Sequence, residues 1–124
     1  ERTANIVLDP RLRYPAEYRC DNGIYVRSIS ELCIANWFYF NNIRFEYERE
    51  VIFCSVSAKA HCDFYLPDED VYVEFWGMSG NEDYKKYKEW KRPLYQANGY
   101  KLISLIPDDL KNFRDRFASA LARG

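Results

Sequence analysis

The feature that most restricts how this chain can fold lies between His61 and Trp76. Two β-patterned runs, His61 to Leu66 and Val71 to Trp76, flank the tetrapeptide Pro67-Asp68-Glu69-Asp70. Proline presets φ and aspartate hydrogen-bonds the turn backbone, so the tetrapeptide favours a tight reversal. Such a turn sets Leu66 opposite Val71, and the pairing carried outward sets Asp63 opposite Glu74. Side chains alternate across a strand, so Cys62, Phe64, Leu66, Val71, Val73 and Phe75 share one apolar face that belongs in the core. The other face carries Asp63, Tyr65, Tyr72, Glu74 and Trp76.

Directly opposed residues hold their Cβ atoms roughly 4.5–5.5 Å apart, where two like charges destabilise a sheet. A divalent cation would offset the repulsion, since Mg²⁺ takes oxygen ligands and commonly uses one or two carboxylates with water and substrate phosphate. Bound there, it would acidify a water and stabilise charge developing on a phosphodiester. A solvated hairpin face, with Asp63 paired to a nearby lysine or arginine, explains the same pattern, and geometry alone leaves the two readings level.

The flanking segments supply the rest of an α/β order. Residues 1–16, with Pro10 and Pro15, read as an irregular lead-in to one domain over residues 17–124. Tyr18 to Val26, interrupted by Asp21-Asn22-Gly23, reads as a short hairpin. Ser28-Ile29-Ser30-Glu31 has the spacing of a capping box and opens a helix to about Asn41. Phe45 to about Val56 reads as a long strand ahead of the central hairpin. After a polar break at Ser79 to Asp83, a second helix runs from about Tyr84 to Asn98-Gly99, and Tyr100 to Ile106 suits a central strand. From Pro107-Asp108 onward, Leu110, Phe113, Phe117 and Leu121 recur at helical spacing. The order is helix, three strands, helix, strand, helix, with a mixed central sheet.

Within the second helix, an advance of about 100° per residue places Tyr87, Lys91, Leu94, Tyr95 and Asn98 on one face. Lys91 therefore stands on the inward stripe, where a lysine ordinarily snorkels. If that stripe packs beside Asp63 and Glu74, its ammonium reaches a carboxylate, the attacking water or a scissile phosphate. Pro93 disfavours helical geometry just beyond it, so a kink or a helix in two pieces is expected there.

Bulk properties exclude some classes. A net charge of −1 does not fit a strongly basic nucleic-acid coat protein, so affinity for nucleic acid would come from a local basic strip or an attached domain. Aromatic residues make up 18% of the chain, enough to fill a core and still leave rings for stacking on bases. The longest apolar run, Leu32 to Phe40, is about half the ~20 residues of a membrane helix, so no membrane association is expected. Cys20, Cys33, Cys54 and Cys62 lack the spacing of a zinc site, and His61 with Cys54 and Cys62 reads as a strand-end histidine beside two thiols. Reduced thiols without an export signal point to the cytoplasm. A chain starting at Glu1 is expected to be a piece of a larger protein.

Taken in order, Val26-Arg27-Ser28-Ile29-Ser30-Glu31, Phe45-Glu46-Tyr47-Glu48, Cys62-Asp63-Phe64-Tyr65-Leu66-Pro67 and Val71-Tyr72-Val73-Glu74-Phe75-Trp76-Gly77 resemble the PD-(D/E)xK nuclease superfamily. The resemblance covers roughly residues 18–106 and is closest to the small nuclease domains found alone or appended to superfamily 1 helicases, with some similarity to very-short-patch repair endonucleases. It implies a restriction-endonuclease-like core that cleaves DNA with Mg²⁺ or Mn²⁺. It also implies that Asp63 and Glu74 bind the metal, that the Phe75 carbonyl completes the protein's share of the shell, and that Glu31 assists through water. The capping box accounts for Glu31 equally well, and Glu48 is a weaker auxiliary candidate. Cys62 replaces the motif's proline and Trp76 its lysine; the resemblance then assigns the lysine's role to Lys91, after Trp90. Three functions remain: a nuclease, a catalytically degenerate nucleic-acid-binding module of the same fold, or a plain interaction domain with a solvated acidic hairpin.

Overall fold

In the computed structural model, which describes residues 5–6, 15–77 and 82–123, local signals account for the first elements. β2 (Tyr18–Arg19) and β3 (Tyr25–Val26) pair antiparallel, Tyr18 opposite Val26, around a turn that holds Gly23 at φ +99°. That left-handed value costs glycine nothing because it lacks a Cβ. α1 (Ile29–Phe40) begins where Ser28 Oγ accepts the Glu31 amide at 3.1 Å. The expected irregular lead-in lies mostly outside the described residues, although Asn5–Ile6 within it forms β1, parallel to a later strand.

Two runs expected as single strands are each divided. Phe45 to Val56 becomes β4 (Glu46–Tyr47) and β5 (Glu50–Phe53), and β6 (Ala58–His61) precedes β7 (Phe64–Leu66). One antiparallel register spans both interruptions, with Glu46 opposite Tyr65, Tyr47 opposite Phe64, Glu50 opposite His61 and Phe53 opposite Ala58. In the gap the Glu48 amide donates to the Asp63 carbonyl and the Cys62 amide to the Arg49 carbonyl, each at 3.0 Å, while Glu48 adopts φ +53°. A long hairpin thus changes neighbours midway: β6 lies between β1 and β5, and β7 between β4 and β8 (Val71–Phe75).

The turn after Leu66 behaves as its chemistry predicts. Leu66 opposes Val71, Tyr65 opposes Tyr72 and Phe64 opposes Val73, with Asp70 at φ +55°. From β8 the chain crosses through α2 (Glu82–Ala97) to β9 (Leu102–Leu105), which lies parallel to β8. Most of the polar break before α2 lies outside the described residues. Helix α2 continues through Pro93 rather than dividing there. Both Pro93 and Glu89, whose carbonyl loses its donor, face solvent, where water can take the bond. Gly99 at φ +74° ends the helix, with its amide bonded to Gln96 O and the Tyr100 amide to Tyr95 O, a Schellman cap. The final segment opens with a 3-10 turn, Pro107–Asn112, before α3 (Phe113–Arg123).

The protein is thus a mixed α/β fold with a four-stranded mixed sheet ordered β4-β7-β8-β9 and helices on both faces. On one face Phe64, Leu66, Val73 and Leu105 pack against Ile34 and Phe38 of α1 and Phe117 of α3. On the other Val51, Phe53, Cys62 and Tyr65 pack against Tyr87 and Tyr95 of α2. Cys62 therefore belongs to the α2 side, contrary to simple alternation, because the strand is interrupted between it and Phe64 and the two residues no longer share one pleat. No helix among the described residues is long and apolar enough to cross a membrane.

Candidate active site

Asp63, just before β7, and Glu74, in β8, meet on the face covered by α2, and both are buried, at 1% and 0% exposure. Of the alternative reading, a solvated face with Asp63 paired to a lysine or arginine, the solvation is absent at these two positions while the lysine pairing is present. Buried carboxylates require compensation, because an uncompensated charge in a low-dielectric interior is expensive. Lys88 Nζ lies 2.7 Å from Asp63 Oδ2 and 2.6 Å from Glu74 Oε1. Lys91 Nζ lies 2.7 Å from Glu74 Oε2 and donates at 2.7 Å to the His61 carbonyl. Tyr95 donates its hydroxyl to Glu74 Oε2, and the Phe75 amide donates to Asp63 Oδ2 at 2.6 Å.

The register of the hairpin and one stripe of α2 together produce this quartet of charges. Tyr84, Tyr87, Lys88, Lys91 and Tyr95 recur at i, i+3, i+4, i+7 and i+11, the spacing of one helical face. Rings shield the ammonium groups: Lys91 Nζ is 4.6 Å from the centroid of Tyr87 on the same stripe, and Lys88 Nζ is 5.1 Å from that of Trp76 beyond the end of β8. Burial raises the Tyr95 phenol well above its ordinary pKa, reinforced by the negative charge of Glu74. Burial first and Glu74 second push the Cys62 thiol up as well, leaving it an inert neutral group whose Sγ donates to the Arg49 carbonyl.

Lys91 was expected on this face and is there, with 0% exposure. Lys88, which reaches both acids, was missed. It stands four residues after Tyr84 and three before Lys91, the spacing of one helical face, a signal that was available in the sequence. Glu31 is buried too, but in a separate network: its Oε1 accepts from the Tyr47 hydroxyl at 2.7 Å and from the Arg27 amide at 3.0 Å, beside an Arg27–Glu48 ion pair at 2.9 Å. Only half of the expected capping box is therefore the familiar one, since the carboxylate reaches back to Arg27. Phe75 meets the pair through its amide, and its ring lies in the core under α1.

Among the described residues no group of three or more His, Cys, Asp or Glu could hold a metal ion. The convergent donors are the two carboxylates, whose oxygens Oδ2 and Oε1 meet at the single position taken by the Lys88 ammonium. That donor set suits a hard divalent ion, which needs only one or two protein carboxylates when water and phosphate complete its shell. Neither acid lines the cavity of about 300 Å³ that Lys88 borders with Trp76, Tyr84, Lys85, Arg92 and Ile106. Gly77 borders it where the chain leaves β8, and a Cβ there would stand 2.8 Å from the Phe75 ring.

No protein-family model matches the chain, and no solved structure matches it. The uncharacterized protein MJ1519 of Methanocaldococcus jannaschii is similar to it, 33% identical over 85 residues, which cover 68% of this chain and 7% of that protein. The chain thus spans a small fraction of the length of the curated relative it matches.

Proposed function

We propose that this chain is a metal-dependent nuclease module of the PD-(D/E)xK type with a restriction-endonuclease-like core, which hydrolyses DNA phosphodiesters using Mg²⁺ or Mn²⁺. The observation that carries this reading is the meeting of Asp63 Oδ2 and Glu74 Oε1 at one cation position, that of Lys88, which also lines a cavity. Asp63 and Glu74 would hold the ion, which when bound supplies a Lewis acid and a water of lowered pKa. Similarity to a short portion of a much longer protein agrees with a module that works beside further domains, such as those of a helicase.

The chain's own residues divide the remaining tasks. The Phe75 amide orients Asp63, while Lys91 and Tyr95 fix Oε2 of Glu74 and leave Oε1 toward Lys88. Lys91 is wholly enclosed, so it acts as a positioning residue for Glu74. Lys88 touches both the acids and the cavity, and an ammonium there can move from the carboxylates to a phosphate lying in the cavity. Lys88 thereby supplies the cation that Trp76 does not.

A second reading, a degenerate module that binds nucleic acid without cutting it, is favoured by the same Lys88, whose ammonium already occupies the cation position. Nicking of supercoiled plasmid in Mg²⁺ or Mn²⁺ separates the two. The wild type should nick and Asp63→Asn should lose at least about a hundredfold in rate, the scale of removing one electrostatic contributor to a transition state. Binding without cleavage in either ion would overturn the nuclease reading.

A further inference from the structure

The cavity bordered by Lys88 combines ring faces with cations in a chain whose net charge is −1. Trp76 and Tyr84 contribute the rings and Lys85, Lys88 and Arg92 the positive charge, against Glu89 as the acid among the lining residues. The cations are held close to the rings: Arg92 Cζ lies 4.8 Å and Lys88 Nζ 5.1 Å from the Trp76 ring centroid, and Lys88 Nζ lies 5.6 Å from that of Tyr84. Rings and guanidinium planes stack on nucleobases, whereas ammonium groups pair with phosphate. A cavity of about 300 Å³ is at the small end of ligand pockets, room for one flat ring system.

We infer that this cavity takes one unstacked nucleotide of a DNA strand, its base against the Trp76–Tyr84 wall and its phosphate toward Lys85, Lys88 and Arg92. The inference rests on the proposed nucleic-acid function of the adjoining acids and deepens it, because it selects the substrate. A base inside a duplex has both faces covered by its neighbours and cannot present one to a protein ring. The preferred substrate is therefore a single-stranded stretch or a frayed end.

Binding in the presence of a chelator, with no cleavage, tests the inference by itself. The probes are a short single strand carrying 2-aminopurine, the same strand with an abasic site, a blunt duplex and free AMP. The intact strand should bind more tightly than the duplex and than AMP, with quenching of the 2-aminopurine. Trp76→Ala should weaken the intact strand about tenfold, the loss of one base–aromatic stack, and should weaken the abasic strand little. Trp76→Phe should restore most of the affinity, which separates stacking from misfolding. Lys85→Ala should weaken both strands alike and lower the salt slope by about one.

Equal losses on the intact and abasic strands, or duplex bound as tightly as single strand, would overturn the inference. AMP bound as tightly as the strand would overturn it too, since the cavity would then serve a free nucleotide. Asp63-dependent cleavage without this coupling of Trp76 to the base leaves the nuclease standing and removes the nucleotide subsite. Coupling without cleavage in any divalent ion does the reverse.

Discussion

The two faces of the four-stranded sheet solve burial by opposite means. Under α1 and α3, Phe64, Val73 and Leu105 meet Phe38 and Phe117 through apolar contact, including Phe38–Phe64 ring edges at 5.5 Å. Under α2, the same strand β8 presents Glu74, which is enclosed only because two lysines and a tyrosine satisfy it. Apolar packing is non-directional and tolerates exchange of similar shapes. A buried charge network is stable only when complete, and losing one member exposes the others to the full cost of desolvation. An assembly of that kind is a poor means of gaining stability, and the proposed function gives its presence on one face a reason.

The largest effect should come from stripping each face of one member. Glu74→Leu leaves Lys91 enclosed without its carboxylate and should cost about 3–5 kcal/mol, while Phe64→Ala should cost about the same through its cavity. The faces differ in rescue. Adding Lys91→Met to Glu74→Leu should recover most of the loss, because the pair leaves together and Asp63 keeps Lys88, whereas Phe64→Ala gains nothing from Lys91→Met. Urea midpoints at constant m-value read this directly, and a double variant as unstable as the two losses added would break the comparison.

A smaller effect distinguishes a resident lysine from a divalent ion. Lys88→Met should destabilise the metal-free protein by about 3 kcal/mol, the low end for breaking a buried pair, since water from the cavity partly replaces the ammonium. Mn²⁺ should then raise the melting temperature more in this variant than in the wild type, as the ion no longer competes with Lys88. Equal Mn²⁺ shifts in both proteins would place the ion elsewhere.

The smallest effect is set by pH. Tyr95 ionises in the unfolded chain near its ordinary pKa of 10.0 but well above it when folded, owing first to burial. Between those values the folded state holds a proton that the unfolded state has lost, so stability is fully present below about pH 10 and declines as pH rises past it. Tyr72, raised to about 12 chiefly by burial, adds to the same decline. Tyr95→Phe should cost about 1.5–3 kcal/mol at neutral pH for the lost bond to a charged acceptor and should flatten the alkaline slope by up to about 1.4 kcal/mol per pH unit. An unchanged slope would mean that Tyr95 is not enclosed against Glu74.

Local signals were legible residue by residue. Ser28 caps α1, Gly23 and Gly99 take left-handed backbone, and Leu110, Phe113, Phe117 and Leu121 turn to the apolar core. The register of β7 and β8 could be read from one tetrapeptide because a short turn fixes pairing by itself, and with it the approach of Asp63 to Glu74. The division of the two long runs was not legible. Nothing near Glu48 or Asp63 announces that β5 and β6 leave one sheet while β4 and β7 join another, since that choice depends on neighbours far along the chain.

The sequence alone determined which side chains share a face of the hairpin from Phe64 to Phe75 and which carboxylates approach each other, because both follow from turn length and the alternation of a strand; the side taken by Cys62 did not follow. Only the tertiary structure decided that the acidic face is covered, that Lys88 rather than Lys91 stands between both acids and the cavity, and that Glu31 is committed to Tyr47 and Arg27. Those outcomes depend on where α2 docks across the sheet, a long-range packing that no local window of residues encodes.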